Sequence, residues 1–209
     1  MNLLLTDSLS CPRCGPEFGL ILRADAMQDR QVLEGVLGCA NCRDSFPVAQ
    51  GFGDLRTPPR TSEPTGRAGS PADPDRTEAT RLAAFMGVLE GPGTLAMVGR
   101  PARHAETVVG LIPGVQLIAV DGDLRSWPEV PDVSRIASRP GVPFFSRKLR
   151  AVTVDGALGL SWVEEAARVT ASRGRVVVVD APDGAREALE SANLGVLAQE
   201  AGTIVAVRA

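Results

Sequence analysis

The sequence predicts an α/β protein with a mainly parallel sheet, preceded by a small cysteine-rich unit. In the second half of the chain, apolar runs alternate with helical stretches, which is typical of buried parallel strands joined by helices. The final two apolar runs flank Ala201 and Gly202 and predict a C-terminal β-hairpin. All four cysteines lie near the N-terminus in two C-x-x-C pairs, a spacing typical of metal sites.

Composition limits the function classes. Of the 209 residues, 44% are hydrophobic and 22% are charged, which is enough for a folded core. No apolar run reaches the roughly 18 residues of a membrane span, and a net charge of -3 gives no overall attraction to nucleic acid or anionic membranes. The first residues have no basic segment and include Asp7, so they do not resemble a signal peptide. We therefore expect a cytoplasmic protein, in which cysteines bind metal more often than they form disulfides.

The two cysteine pairs predict a structural zinc site. Gly15 follows the first pair and Gly38 precedes the second, where a tight turn needs a small residue. Four thiolates fill a tetrahedral Zn²⁺ site and leave no position for a catalytic water. A redox C-x-x-C motif and a chance pairing are the alternatives. The candidate metal ligands are Cys11, Cys14, Cys39 and Cys42.

The remainder of residues 1–55 predicts a small acidic unit that depends on its metal. Residues 19–22 predict a strand, and residues 25–34 a polar helix or loop. A unit of this size buries little core, whereas structural zinc supplies on the order of 10 kcal/mol of folding free energy. Four arginines stand against seven acidic residues, so a protein-binding unit fits better than a nucleic-acid-binding one.

Residues 3–55 resemble a known family. The segments L-S-C-P-R-C at 9–14, E-G-V-L-G-C-A-N-C at 34–42 and S-F-P-V-A-Q-G at 45–51 are similar to the zinc-ribbon activator of tRNA and protein methyltransferases. Gly53 replaces the proline that is usual near the end of this pattern. The resemblance implies a scaffold that binds and stabilises a methyltransferase domain without catalysing a reaction itself.

Residues 56–75 predict a linker. They are rich in proline, glycine and serine and show no apolar periodicity, as in a semi-extended segment. The alternative is a belt wrapped over the following domain. The sequence thus divides into a zinc-ribbon domain at 1–55, a linker at 56–75 and an α/β domain at 76–209.

The α/β domain begins with a helix and continues with alternating elements. Asp75 and Glu78 are typical of a helix N-terminus, apolar residues then recur at helical spacing as far as Leu89, and residues 91–93 (G-P-G) should end the helix. The predicted strands are 94–98, 115–120, 149–154 and 175–179, the helices 101–111, 160–171 and 183–192, and the hairpin strands 194–199 and 203–208.

This order of elements resembles the class I S-adenosylmethionine-dependent methyltransferase fold, a Rossmann-like sheet that ends in a β-hairpin. L-I-A-V-D at 117–121 is similar to the family's second strand, whose terminal acid holds the cofactor ribose. Residues 141–154 and 163–178 are similar to the segments around its fourth and fifth strands. The resemblance implies cofactor contacts at Gly99 and Asp121. A generic nucleotide-binding α/β domain is the alternative.

The first strand and its turn depart from this pattern. The family has an acid near the strand end and then G-x-G-x-G, because the cofactor lies against bare backbone at a helix N-terminus. Only Gly99 is present here. Met97 replaces the acid, Pro101 removes an amide donor, and Arg103 adds bulk where close approach is needed. We therefore expect weak or absent binding of S-adenosylmethionine.

Three polar residues near this turn each allow two interpretations. Asp121 either contacts a ribose or caps the next turn. Asp155 is either a polar residue without a functional role or a surviving substrate contact, since D-G-A-L stands where amino-group methyltransferases have N-P-P-Y. His104 is either a base beside the turn or, as we expect, a residue on the helix surface.

Residues 133–154 carry five basic side chains and no acidic one. Such a segment can bind RNA phosphates or an acidic partner, including the chain's own ribbon, or it can be a solvated loop face. Few aromatic residues lie among them, so base stacking has little support. The basic residues are Arg135, Arg139, Arg147, Lys148 and Arg150.

These observations predict a zinc-binding scaffold or activator that binds a protein partner and contains a non-catalytic methyltransferase-like domain. The alternative is an active S-adenosylmethionine-dependent methyltransferase with a divergent cofactor turn, stabilised by its own ribbon.

Overall fold

A single large sheet runs through most of the molecule. A computed structural model describes residues 1–60, 68–69, 75–139 and 141–209, except for the side chain of Arg139. These residues contain thirteen strands and four α-helices, and eleven of the strands form one sheet. Most of the predicted linker, residues 61–67 and 70–74, lies outside the described part of the chain. None of the helices described is long and apolar enough to cross a membrane.

The first 56 residues, here the N-terminal unit, are almost entirely β-structure. A 3-10 helix at Leu3–Ser8 precedes six strands. The first two strands form a separate small sheet, and the first C-x-x-C pair lies at their turn. The strands are β1 Ser10–Cys11, β2 Gly15–Gly19, β3 Ile21–Gln28, β4 Gln31–Gly38, β5 Ser45–Ala49 and β6 Phe52–Arg56.

The predicted polar helix or loop at residues 25–34 is wrong, because this stretch belongs to the hairpin of β3 and β4. Asp29 and Arg30 form its turn with φ of 48° and 64°, values that glycine and asparagine adopt most easily. The sequence lacks that turn signal. Irregular pairing after Ala24 also interrupts the alternation by which a strand is recognised.

The C-terminal unit, residues 75–209, shows the predicted alternation of strands and helices. Its first helix begins as expected, because Asp75 Oδ1 accepts a hydrogen bond from Thr77 N at 2.9 Å. The helix ends at Met86, before Gly87 with φ of 64°, and not at residues 91–93. The elements are α1 Arg76–Met86, β7 Gly93–Val98, α2 Ala105–Leu111, β8 Val115–Val120, β9 Val133–Arg139, β10 Leu149–Asp155, α3 Leu160–Val169, β11 Thr170–Val179, α4 Ala185–Ser191, β12 Leu194–Glu200 and β13 Thr203–Arg208.

The predicted α/β sheet with a C-terminal hairpin is confirmed, and one strand is additional. β9 was not predicted because its buried positions include polar side chains. Ser134 is 3% exposed and Arg135 is 5% exposed. Sequence hydrophobicity therefore understated the burial of this strand.

The strand order places a switch point between β7 and β10. The order is β12-β13-β11-β10-β7-β8-β9-β6-β5-β4-β3. β7 to β11 are mutually parallel, and the chain moves from β9 on one side of β7 to β10 on the other. Open α/β sheets bind ligands beyond the carboxyl ends of their strands at such a point. Gly99 and Asp121 follow the carboxyl ends of β7 and β8.

β6 joins the two units into one sheet. It runs parallel to β9, with Phe52 opposite Arg135 and Arg56 opposite Arg139. The residue before the 3-10 helix and β1 also contact the C-terminal unit: Asn2 N donates to Ser134 Oγ at 3.0 Å, and Ser10 N donates to Pro143 O at 2.9 Å. The N-terminal unit therefore extends the sheet and packs against it.

Two hydrophobic cores lie on opposite faces of the sheet. Leu95 and Met97 of β7 belong to the core under α1 and α2, whereas Ala96 and Val98 belong to the other core, as the alternation of strand side chains requires. The second core is shared by α3, α4 and the N-terminal unit. Its fully buried aromatic residues are Phe46 and Phe144, one from each unit.

Candidate functional site

The structure brings the four predicted cysteines together, with their sulfur atoms within 4.8 Å of one another. Cys11 Sγ lies 3.7 Å from Cys42 Sγ, and Cys14 Sγ lies 3.8 Å from Cys39 Sγ. All four thiols are free, and these separations are far longer than the roughly 2.05 Å of a disulfide bond. The two C-x-x-C loops thus form one cluster.

This donor set fits a tetrahedral metal ion. Bonds of about 2.3 Å from zinc to sulfur place tetrahedral sulfurs about 3.8 Å apart, close to the separations found here. Asn41 Nδ2 donates to Cys14 Sγ at 3.3 Å, a second-layer hydrogen bond of the kind that orients metal ligands. Cys11 and Cys39 are buried, and Cys14 and Cys42 are partly exposed. Four thiolates would fill all four positions of a tetrahedral ion and leave none for a catalytic water.

The thiols of the cluster differ in pKa. Burial raises the pKa of Cys11 to about 12. Burial acts in the same direction on Cys39, but hydrogen bonds from the backbone amides of Cys42 and Asn41 contribute to lowering its pKa to about 7. Four thiolates at these distances repel one another, so a divalent cation is what allows all of them to ionise together.

The second candidate site is the turn after β7. Gly99 has φ of 73° and ψ of -140°, a conformation that residues with a Cβ rarely adopt. A Cβ placed on Gly99 would lie 2.8 Å from Asp155 Cβ and 2.9 Å from Leu158 Cδ1. Asp155 and Leu158 therefore pack directly against the backbone that a cofactor would have to approach.

Asp155 also binds the backbone of this turn. Its Oδ2 accepts a hydrogen bond from Arg100 N at 3.3 Å, and its Oδ1 accepts one from Ala157 N at 3.1 Å. The Arg100 guanidinium forms an ion pair with Asp180. Asp155 is fully buried, and both of its carboxylate oxygens accept hydrogen bonds from backbone amides. Its carboxylate holds the end of β10 against the turn after β7.

The space beside Gly99 is small. It has a volume of about 20 Å³, and its lining includes Asp121, Ser138, Leu158 and Trp162. A single water needs about 10–15 Å³, whereas sites for drug-sized ligands measure roughly 300–1,000 Å³. The cavity is therefore large enough for a water molecule and much smaller than the usual ligand site.

The side chains that close this cavity are not those expected from the sequence. Pro101 is buried but does not line the cavity, and Arg103 lines a different one beside Trp127. Leu158 and Trp162 close it instead, from the short 3-10 helix after β10 and the first turn of α3. Neither residue stands out in the sequence as part of a site, because apolar residues at a helix start are also typical of ordinary core packing.

Asp121 is buried at the end of β8, with 5% of its surface exposed. Its Oδ1 accepts a hydrogen bond from Asp123 N at 2.9 Å. This is the capping role that was one of its two interpretations. Asp121 also lines the cavity beside Gly99.

His104 does not lie on a helix surface, so that expectation is wrong. It ends the 3-10 helix Arg100–His104 and is 7% exposed. Burial lowers its pKa, and its Nδ1 has no hydrogen-bond partner within the described residues. It does not line the cavity beside Gly99 either.

The five predicted basic residues do not form one surface. Arg135 is buried, and its guanidinium donates to Gln50 O at 2.8 Å. Arg150 donates to two backbone carbonyls, at 2.8 Å and 2.7 Å. Phosphate binding by either residue would compete with these bonds. Of the others, Arg147 and Lys148 are exposed and the side chain of Arg139 lies outside the described part.

No protein-family model matches the sequence, and no curated protein matches it. Solved structures do match. A chain from the complex between the Haloferax volcanii Trm112 methyltransferase activator and a methyltransferase aligns with a TM-score of 0.51 and 19% identity, over 66% of this chain and 80% of that one.

Two further likenesses have lower TM-scores. Precorrin-6y C5,15-methyltransferase from Geobacter metallireducens gives 0.47 at 15% identity, over 63% of this chain and 87% of that chain. Geranyl diphosphate methyltransferase in complex with S-adenosylmethionine gives 0.49 at 12% identity, over 65% and 78%. Identities this low show the fold alone. The chain therefore has a Rossmann-like, methyltransferase-type α/β fold with a cluster of four cysteines near its N-terminus.

Proposed function

We propose that this protein is a zinc-binding scaffold that binds a protein partner and whose methyltransferase-type domain does not bind S-adenosylmethionine. The closed turn at Gly99 carries the proposal. The cavity at that turn measures about 20 Å³. A cofactor in the usual position beyond the strand ends would meet Leu158 and Asp155, which leave no room even for a Cβ on Gly99.

Hydrogen bonds as well as side-chain packing keep this turn closed. In an open glycine-rich turn, backbone amides at the helix N-terminus are free to bind an anionic ligand. Here Asp155 Oδ2 accepts from the amide of Arg100, the residue after Gly99. The ion pair between Arg100 and Asp180 adds a further contact across the turn. Opening the site would break these bonds within the protein.

Zinc has a structural role in this proposal. Cys11, Cys14, Cys39 and Cys42 would hold the ion, because their sulfurs have tetrahedral spacing. The bound ion supplies four bonds that tie the two cysteine loops together. No open coordination position is needed for that task.

The N-terminal unit would stabilise its own C-terminal unit. The similar solved structure comes from a complex of an activator with a methyltransferase. In the present chain the two units are covalently joined, and β6 pairs with β9. We accordingly propose a division into a ribbon domain at 1–55, a linker at 56–75 and a methyltransferase-type domain at 76–209, with further surfaces left for a partner.

Isothermal titration calorimetry with S-adenosylmethionine and S-adenosylhomocysteine tests the non-catalytic part. The zinc-loaded full chain is expected to give no binding heat, and binding in the micromolar range would overturn the proposal. An active methyltransferase titrated with the same stocks is the control for ligand quality. Elemental analysis should find one zinc per chain.

The alternative is an active methyltransferase with a divergent turn. Asp121 at the end of β8 favours it, because an acid stands at the position that the resemblance assigns to the ribose. Leu158 and Trp162 would then have to move aside. Micromolar cofactor binding that is lost in Asp121→Ala would establish this alternative.

A role in RNA binding would depend on the exposed Arg147 and Lys148, and a salt-dependent filter-binding assay tests it.

A further inference from the structure

We propose that the groove between the first cysteine loop and α3 binds an extended, basic segment of a partner protein. This inference rests on the proposed function, because it names the chemistry of the partner. The groove has a volume of about 720 Å³, within the usual range for ligand sites. One wall comes from the N-terminal unit and the other from the C-terminal unit, and ligand sites occur preferentially at such junctions.

The apolar part of the lining suits an extended peptide. Pro12 and Pro16 contribute from the first cysteine loop, Pro143 from the segment before β10, and Trp162 from α3. Trp162 is half-buried, and its indole N–H has no acceptor among the described residues. Grooves lined by aromatic side chains bind proline-rich extended segments, whose carbonyl groups are available as acceptors. Tryptophan is also a frequent anchor of protein interfaces.

The charge of the groove favours a basic segment. Glu165 and Arg168 neutralise each other through hydrogen bonds of 2.8 Å. Arg168 also donates to the carbonyl groups of Val142 and Phe144. Glu164 is exposed and has no ion-pair partner within the described residues, so the groove carries a net negative charge. Glu164 lies beyond the first turn of α3, where the positive end of the helix dipole has weakened.

The spacing along α3 indicates a segment of several residues and not a small cation. Trp162 and Glu164 are two positions apart, so they lie on different sides of the helix. At about 100° per residue, Glu165 and Arg168 fall between Trp162 and Glu164 around the helix, and all four residues line the groove. A ligand that contacts both Trp162 and Glu164 must therefore span the groove, as an extended peptide does.

An acetylated decapeptide of alternating proline and arginine is the probe, and a decapeptide of proline and glutamate is its matched control. Calorimetry on the zinc-loaded full chain should show binding of the basic peptide only. Fluorescence in a Trp127→Phe background, which leaves Trp162 as the single tryptophan, should report a change in emission on binding.

Substitutions that change the charge of the groove test whether the peptide binds there. Glu164→Lys is expected to weaken binding of the basic peptide about tenfold, and Glu164→Gln by less, because the charge change is smaller. Glu187→Lys, the same change at an exposed residue of α4 outside the groove, should leave the affinity unchanged. Circular dichroism checks that each variant is folded.

Three results would overturn the inference: no binding of the basic peptide, equal binding of the acidic peptide, or equal loss of affinity in Glu164→Lys and Glu187→Lys. The cofactor titration is independent of these measurements. If both S-adenosylmethionine and the basic peptide bind, the proposal of a non-catalytic domain is wrong and the peptide-binding groove is supported. If neither ligand binds, the peptide-binding groove is wrong and the proposal that the turn excludes the cofactor is supported.

Discussion

Gly53 of β6 lies opposite Ile136 of β9 in a parallel pair that joins the N-terminal and C-terminal units. A Cβ on Gly53 would lie 3.3 Å from Ile136 Cγ2, so the two strands and their side chains are closely packed. One hydrophobic core also draws residues from both units. Unfolding of either unit would therefore expose apolar surface of the other, and we expect the two to unfold together.

Removal of the metal is the first test of this coupling. Chelation of zinc should unfold the cysteine loops, because a structural ion contributes on the order of 10 kcal/mol to such a fold. Since the units share a sheet, the thermal midpoint of the whole chain should fall as well. Far-UV and near-UV circular dichroism melts measure this, and re-addition of zinc should restore the original curve. Identical melts before and after chelation would show that the cluster has no structural role.

Phe144→Ala tests the shared core. Phe144 is fully buried, and it is bridged to Leu9 of the N-terminal unit. Its truncation should lower the free energy of unfolding by about 3–5 kcal/mol, as for other buried phenylalanines. The neighbouring Phe145 is only partly buried, so Phe145→Ala should cost clearly less. Urea denaturation of the two variants gives the comparison, and equal losses would contradict the assignment of Phe144 to this core.

Asp54→Asn tests an ionic contact beside the β6–β9 junction. Asp54 is 4% exposed, and its Oδ2 accepts hydrogen bonds from Arg56 at 2.7 Å and from Arg125 at 2.8 Å. The substitution removes the charge that these arginines share, so we expect a loss of about 2–3 kcal/mol. Asp25→Asn, which affects an exposed pair with Arg23, should cost about 0–1 kcal/mol. Chemical denaturation at neutral pH distinguishes the two, and similar small losses would show that the buried contact is not stabilising.

Sequence patterns predicted the alternating elements of the C-terminal unit because its strands are continuous apolar runs. They did not reveal β9, where the side chains of Ser134 and Arg135 are buried and form hydrogen bonds with distant backbone groups. They also did not show that β6 and β9 pair. The paired residues are about eighty positions apart, and the sequence of a strand does not indicate which other strand it pairs with.

The candidate sites were predictable to different degrees. Cysteine spacing alone indicated the metal cluster, because each C-x-x-C pair is a local unit. At Gly99 the missing glycines indicated a departure from a cofactor turn. The side chains that fill the space, Asp155 and Leu158, come from another strand end and depend on tertiary packing. Pro101 and Arg103, the bulky residues close by in sequence, do not line the cavity.

His104 should make stability depend on pH. Burial lowers its pKa, so the folded state keeps it neutral at a pH where the unfolded state already binds a proton. The free energy of unfolding should therefore fall as the pH decreases through the unfolded value of about 6.5. His104 is the single histidine, so His104→Gln should reduce the slope between about pH 7.5 and 5.5. Urea denaturation at several pH values measures the slope, and equal slopes for parent and variant would rule out this role.

Gly99→Ala should destabilise the protein, whereas the same substitution at Gly110 in α2 should not. Gly99 has φ of 73°, and a Cβ would lie 2.8 Å from Asp155 Cβ. Asp155 Cβ is attached directly to the backbone, so it cannot move away by a change of side-chain rotamer. The backbone strain alone costs about 1–3 kcal/mol. Gly110 in α2 is the matched control, because a Cβ there has no neighbour within 4 Å and alanine favours a helix by about 1 kcal/mol over glycine. Thermal melts should therefore move in opposite directions, down for Gly99→Ala and up for Gly110→Ala. A neutral Gly99→Ala would mean that Asp155 and Leu158 can withdraw from the turn, and it would remove the steric basis for excluding a cofactor.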